Sequence, residues 1–308
     1  MIPKVSIIVL NWNGLADTLE CLQSVQKINY GNFDVILVDN NSSGNDVEVI
    51  MEKFGEFLKV IIVNDSNKGF AGGNNVGIRY ALENNSDFVL LLNNDTIVEP
   101  DFLDKLIEQS TQLANIGILT PKIFYYTNRD QIWSAGGYIS KIRASGFQRG
   151  FNKKGRNYYN INKYCSFATG CCMLIKREVI EKVGLLDERF FLYLEDTDYC
   201  YRAINAGFKI RFVANSKIYH KVNTTTKMNG ELLPLYYTIR NRLFFAKNRL
   251  GFWFYLFYLY LVVTMNIKIF ISRNGTEIRK IYKLATNDFS NEMMGQLTKK
   301  IFNNMRVG

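Results

Sequence analysis

"LLLNNDT", residues 90–96, ends an apolar run that starts at Phe88. Three leucines are followed by Asn93, Asn94, Asp95 and Thr96, all polar. Asn and Asp are common in ordinary turns. They are also what a ligand meets at the carboxyl ends of strands in an open α/β sheet. The neighbouring segments bear on the choice. Val5–Leu10 and Phe33–Val38 are β-rich runs without alternation, as in parallel strands buried on both faces. Leu15, Leu19, Leu22 and Val25 recur at helical spacing between them, and Val60–Val63, Phe88–Leu92 and Ile116–Leu119 continue the alternation of strand and helix. That rhythm predicts a mostly parallel, Rossmann-like sheet flanked by helices. Three of its strands run into similar polar text, "VDNNSSG", "VNDSNKG" and "LLNNDT", on one edge. One such ending is a turn; three together suggest a pocket.

Composition sets the frame. A chain of 308 residues with 47% hydrophobic and 21% charged residues can bury a large core. The apolar run Val5–Leu10 is too short for the core of a secretory signal, so a cytoplasmic placement is expected. Five cysteines form no C-x-x-C pair, which argues against a zinc site. The net charge of +10 is uneven: residues 231–308 hold 12 Lys and Arg against 4 Asp and Glu. Within that tail Phe252–Val263 ("FWFYLFYLYLVV") is apolar on every face, with cations before and after it. As a helix, such a run is shorter than the ~30 Å hydrocarbon core. A simple transmembrane helix is therefore not favoured, and two other readings stand: a core helix, or a segment lying against the inner face of the cell membrane through residues 240–285. Nucleic acid is not expected, because its aromatics would be interleaved with the cations.

The chemistry-bearing residues are few. Glu195, Asp196 and Asp198 crowd the start of an expected helix that Gly207 closes. Acids that close repel one another unless a positive field offsets them. His220 is the single histidine. A carboxylate and an imidazole suit Mn²⁺ or Mg²⁺, and such ions with few protein ligands often complete their shell with phosphate oxygens. In "NKGFAGGNNVG" (67–77), glycines at a helix start allow a close backbone approach to a ligand. Neither G-x-G-x-x-G nor a phosphate-loop motif is present, which weakens a dehydrogenase or P-loop reading.

The ordered set of motifs resembles glycosyltransferase family 2, enzymes of the GT-A fold that use nucleotide sugars, and within it rhamnosyltransferase-like members. The resemblance runs from about Val5 to Lys247. It implies that Asp39 of "VDNNSSG" contacts the base, that Asn67, Gly69 and Asn75 lie on the nucleotide side, and that Asn93, Asn94 and Asp95 occupy the D-x-D position. Here the first carboxylate of that motif is an amide. It also implies that Asp196 of "FFLYLEDTDYCYRAINAG" is the general base, with Glu195 beside it, and that Asp95 and His220 hold the metal. The expected division is a glycosyltransferase domain over residues 1–230 and a C-terminal helical, aromatic-rich basic appendage over 231–308. The expected donor is dTDP-rhamnose or a UDP-hexose, and the expected acceptor a cell-surface glycan or lipid-linked glycan. A sugar nucleotidyltransferase would want a Lys or Arg near the first strand to grip a triphosphate, and "NWNGLADT" has none. A non-catalytic nucleotide-sugar binding module would not need Asp196 beside Asp95.

Overall fold

A computed structural model describes residues 2–112, 115–155, 157–222 and 232–297. The division expected at 230/231 lies outside the described residues. Strands β1 (Val5–Asn11), β2 (Phe33–Asp39), β3 (Val60–Val63) and β4 (Phe88–Asn93) alternate with helices α1 (Leu15–Val25), α2 (Asp46–Phe54) and α3 (Gly69–Glu83). They pair in parallel in the order β3-β2-β1-β4. Successive side chains of a strand point to opposite faces, so a run with no alternation is buried on both. Ile7, Val9, Leu90 and Leu92 join one core with α1 and α2. Ile8, Val89 and Leu91 join the other with α3. Each such leucine contributes about 2 kcal/mol by leaving water.

Beyond β4 come β5 (Thr96–Val98), α4 (Phe102–Gln112) and β6 (Ile116–Tyr125). Residues 131–165 form the short strands β7 (Gln131–Ser134), β8 (Gly137–Ser140), β9 (Ser145–Gln148), β10 (Lys153–Lys154) and β11 (Lys163–Cys165). Then follow β12 (Cys172–Lys176), α5 (Arg177–Val183), α6 (Glu195–Asn205) and β13 (Lys209–His220). The sheet keeps the parallel core expected of it and becomes mixed beyond β4. β12 lies antiparallel between β4 and β6, while β13 runs parallel to β6. Between Lys163 and Lys176 the chain forms two strands, β11 and β12, on different neighbours. β13 is one long strand with an irregularity between Val213 and Lys217.

Three helices finish the described chain: α7 (Leu232–Arg249), α8 (Trp253–Ile271) and α9 (Gly275–Ser290). They share a third core containing Leu243, Phe257, Leu261 and Ile281, which Phe190 and Leu194 also enter. At 19 residues α8 is longer than its unbroken apolar run. The polar residues beyond Val263 do not end it, because they bond back to the helix. Thr264 Oγ1 donates to the Tyr260 carbonyl and Asn266 Nδ2 to that of Val262.

Candidate active site

The carboxyl ends of β1, β2 and β4 lie side by side, with Asn11 opposite Asp39 and Leu10 opposite Asn93. Polar side chains tie them together. Asn94 Nδ2 donates to Thr18 Oγ1 (2.8 Å), and Thr18 Oγ1 donates to Asn11 Oδ1 (2.7 Å). Asn11 Nδ2 then donates to Asp39 Oδ2 (2.8 Å) and Asp46 Oδ2 (3.0 Å). Asp39 also accepts from the Ser42 amide and hydroxyl. Three of the roughly four acceptor positions of its carboxylate are thus filled, leaving one on Oδ1.

Asp95 follows β4, and the chain turns at once into β5. That short strand pairs antiparallel with the end of β13, Thr96 opposite His220. The pairing sets Asp95 Oδ1 3.1 Å from His220 Nε2. The contact is a near approach without hydrogen-bond alignment: Asp95 Oδ1 is buried with no partner, and so is His220 Nδ1. Two lone-pair-bearing atoms held this close suit a shared cation. The imidazole is fixed from several sides. Its ring packs edge-on against Trp133 at 4.5 Å, and Lys221 holds Asp17 and Glu20 of α1. Among the described residues no group of three or more His, Cys, Asp or Glu could hold a metal. Asp95 and His220 are the two groups here whose donor chemistry could accept a divalent ion such as Mn²⁺ or Mg²⁺, with the rest of its shell left to other ligands.

Asp196 reaches the same edge from α6. Its Oδ2 accepts from the Gly170 amide (3.1 Å) and its Oδ1 from the Thr197 amide (2.6 Å). One residue on, the Cys171 carbonyl accepts from the Asn93 amide (2.9 Å). The Gly170–Cys171 backbone thus links Asp196 to the end of β4. Burial first, and then the charges of Asp95 and Asp196 among others, push the Cys171 thiol well above its ordinary range. Burial raises the Asp196 carboxyl against the amides that bind it. Glu195 goes higher still, by burial and then by the charge of Asp196, and its Oε2 has no partner. Of the crowded acids, Asp198 alone meets cations: Arg202 Nε donates to it at 2.6 Å and Arg249 Nε at 2.7 Å. Burial pushes the thiol of Cys21, beneath the site, up to about 12.

The loop before α6 is strained. Phe191, Tyr193 and Leu194 hold φ of 56°, 69° and 74°. For residues with a side chain this costs on the order of 1–3 kcal/mol each. Asn241 of α7, wholly buried, holds the loop: its Nδ2 donates to the carbonyls of Phe190, Leu192 and Tyr193 at 2.8–2.9 Å.

Other expectations shift. Asn75 does not lie open to a nucleotide: it is 1% exposed, donates to the Leu186 carbonyl and Glu188 Oε1, and accepts from the Leu186 amide. Its three strong valences are spent bracing the segment before the Glu188–Phe190 turn. The Asn67 oxygen accepts from Asn40 Nδ2 and the Gly69 amide, so it shapes the loop. Gly69 has φ of 70°, and a Cβ there would overlap the Phe191 carbonyl oxygen. Gly73 and Gly77 let α3 sit on Leu10 and Ile8 of β1. These glycines thus serve close approach within the protein.

The family profile described as "Glycosyltransferase like family 2" matches residues 3–236. The chain belongs to glycosyltransferase family 2. It is 31% identical over 216 residues to the low-salt glycan biosynthesis hexosyltransferase Agl10 of Haloferax volcanii, covering 68% of this chain and 64% of that protein. It is 24% identical over 255 residues to the dTDP-rhamnosyl transferase RfbF of Shigella flexneri, covering 78% and 79%. The mannosyltransferase PcManGT of Pyrobaculum calidifontis, solved with GDP-Man and Mn²⁺, superposes with a TM-score of 0.58 at 13% identity, over 96% of this chain and 77% of that one. At that identity the likeness speaks for the fold alone, which is GT-A.

Residue patterns missed several parts of this family 2 site. β5 is only three residues long, too short for periodicity to register. Asn40, which donates to Asn67 Oδ1 and the Gly69 carbonyl, stands next to Asp39 in "VDNNSSG" and is buried. Asn241 is a polar residue within "YYTIRNRLFFAK", and an amide on the buried side of a helix was the available signal.

Proposed function

We propose that this chain is an inverting glycosyltransferase. It moves a sugar from a nucleoside-diphosphate sugar, dTDP-rhamnose or a UDP-hexose, to a hydroxyl of a cell-surface glycan or lipid-linked acceptor. The observation that carries the reading is the partnerless Asp95 Oδ1 3.1 Å from His220 Nε2 at the strand ends. Those two residues would hold Mn²⁺ or Mg²⁺, which would supply positive charge for the departing diphosphate. Asp39, through its remaining acceptor position, takes a base N–H, and Asn93 hydrogen-bonds the ribose. Asp196, its basicity raised by burial, takes the proton of the acceptor hydroxyl. The hydroxyl oxygen bonds to the anomeric carbon from the face opposite the phosphate. The carbon–oxygen bond to phosphate breaks, and nucleoside diphosphate leaves with the electron pair. A single displacement of that kind inverts the anomeric configuration. Names of relatives support the donor class, with a hexosyltransferase and a dTDP-rhamnosyl transferase among them.

The test is donor hydrolysis across a panel of nucleotide sugars. One donor is expected to release nucleoside diphosphate slowly, to be silenced by EDTA and restored by Mn²⁺ or Mg²⁺. Asp196→Asn is expected to abolish transfer while sparing donor binding. Full activity in EDTA would remove the metal role from Asp95 and His220.

A further inference from the structure

Helix α8 is apolar over most of its surface, yet only one of its faces is covered. Phe257, Leu261 and Met265 are 0%, 1% and 5% exposed and belong to the core shared by α7 and α9. At about 100° per residue the opposite side carries Tyr255, Leu256, Leu259, Val263, Ile267 and Phe270. These are 69%, 40%, 62%, 49%, 54% and 89% exposed. An apolar strip of that length, interrupted only by the exposed Asn266, marks a contact with something apolar.

The charges around it say what. Within residues 232–297 the exposed cations are Lys247, Lys268, Arg273, Arg279 and Lys283, against the exposed acids Glu277 and Glu292. Asp288 is buried and accepts from the Tyr236 hydroxyl. Lys141, from the β8–β9 hairpin, adds a cation over the Trp253 ring at the start of α8. Aromatic rings next to cations, beside an aliphatic strip, match the boundary between anionic headgroups and acyl chains. A second copy of this chain would bring the same cations together and be repelled.

We propose that α8 lies flat in the interface of an anionic lipid bilayer, with its Tyr255–Phe270 face in the acyl boundary. Nineteen residues would reach roughly 28 Å, nearly enough to cross. Crossing is opposed by what α8 carries on its covered side. α9 brings Arg279, Lys280 and Lys283, and α7 is bonded through Asn241 into the loop before Asp196. A spanning α8 would draw those groups into hydrocarbon or strip them from their core. Lying flat satisfies both faces. The same α7 link then sets the catalytic edge at a fixed height above the lipid. The inference stands apart from the proposed reaction, since it needs neither donor nor metal.

The experiment is co-sedimentation of the full chain with vesicles of phosphatidylcholine alone or with added phosphatidylglycerol. Binding is expected only to the anionic vesicles, falling with added salt, with release by salt or alkaline carbonate in the absence of detergent. The double variant Leu259→Asp, Phe270→Asp is expected to bind at least about tenfold more weakly, which is about 1.4 kcal/mol, with an unchanged melting temperature because both side chains are exposed. Equal binding to both vesicle types, or none, overturns the proposal. So does release by detergent alone, which would mean a spanning helix. Self-association abolished by the same variant, without vesicle binding, also overturns it.

Discussion

Asp95 Oδ1 stands 3.1 Å from His220 Nε2 because Thr96 and His220 pair directly across β5 and β13. The two atoms meet without hydrogen-bond alignment, and the carboxylate oxygen has no other partner. Strand register thus delivers a carboxylate and an imidazole to one point. Asp95→Asn and His220→Ala are each expected to lower metal-dependent turnover by roughly 100-fold or more, about 2.7 kcal/mol of transition-state stabilisation. Each is also expected to lose the thermal stabilisation by Mn²⁺ plus nucleoside diphosphate. Retention of that stabilisation in both variants would place the metal elsewhere.

Asn241 would act on the proposed reaction from a distance. Its amide holds the carbonyls of Phe190, Leu192 and Tyr193, and so the strained turn that aims Asp196. Asn241→Leu leaves buried carbonyls unpaired and is expected to cost about 1–3 kcal/mol in denaturant unfolding. Below the melting range, kcat is expected to fall while the donor KM stays put. An unchanged kcat would make Asn241 a purely structural residue.

The buried acids give two pH dependences. As the proposed base Asp196 must be ionised, and burial raises its carboxyl from the ordinary 3.8. The acid limb of kcat/KM is therefore expected above that value. Glu195 sits well above its ordinary 4.5, through burial and then the charge of Asp196. With the folded pKa above the unfolded one, the folded state holds more protons between the two. Stability then falls as pH rises from about 4.5 toward the folded value. Glu195→Gln is expected to flatten that decline and to raise the melting temperature at pH 7. A melting temperature that drops at pH 7 would show that the ionised carboxylate is favourable where it lies.

Gly69 and Gly184 separate two costs. Both have positive φ, 70° and 81°. A Cβ at Gly184 meets nothing, whereas one at Gly69 runs into the Phe191 carbonyl. With ψ of −168° Gly184 lies in a region essentially only glycine adopts, and Gly184→Ala is expected to cost about 1–3 kcal/mol for the backbone alone. Gly69→Ala is expected to cost more and to slow turnover, because Phe191 belongs to the loop before Asp196. Equal unfolding energies would mean that the loop yields freely.

How much was legible depended on distance along the chain. The two-faced core was readable in "VSIIVL" and "FDVILV", since runs without alternation need cover on both sides of a sheet. The antiparallel course of β12 was not, because "CMLIK" carries no mark of direction. Asn75 was assigned to the nucleotide side through its motif, yet its amide is consumed by Leu186, far along the chain.

Local patterning alone determined the order of strands and helices in the first half, the polar strand ends and the acid-rich start of α6. Those features arise from hydrophobic period and turn chemistry, which act over a few residues. Tertiary structure alone decided that Asp95 meets His220, that Gly170–Cys171 joins Asp196 to β4, and that α7 holds the loop before Asp196 through Asn241. Such contacts depend on strand register and on which helix packs where. Many distant side chains set that choice together, and no short stretch of sequence records it.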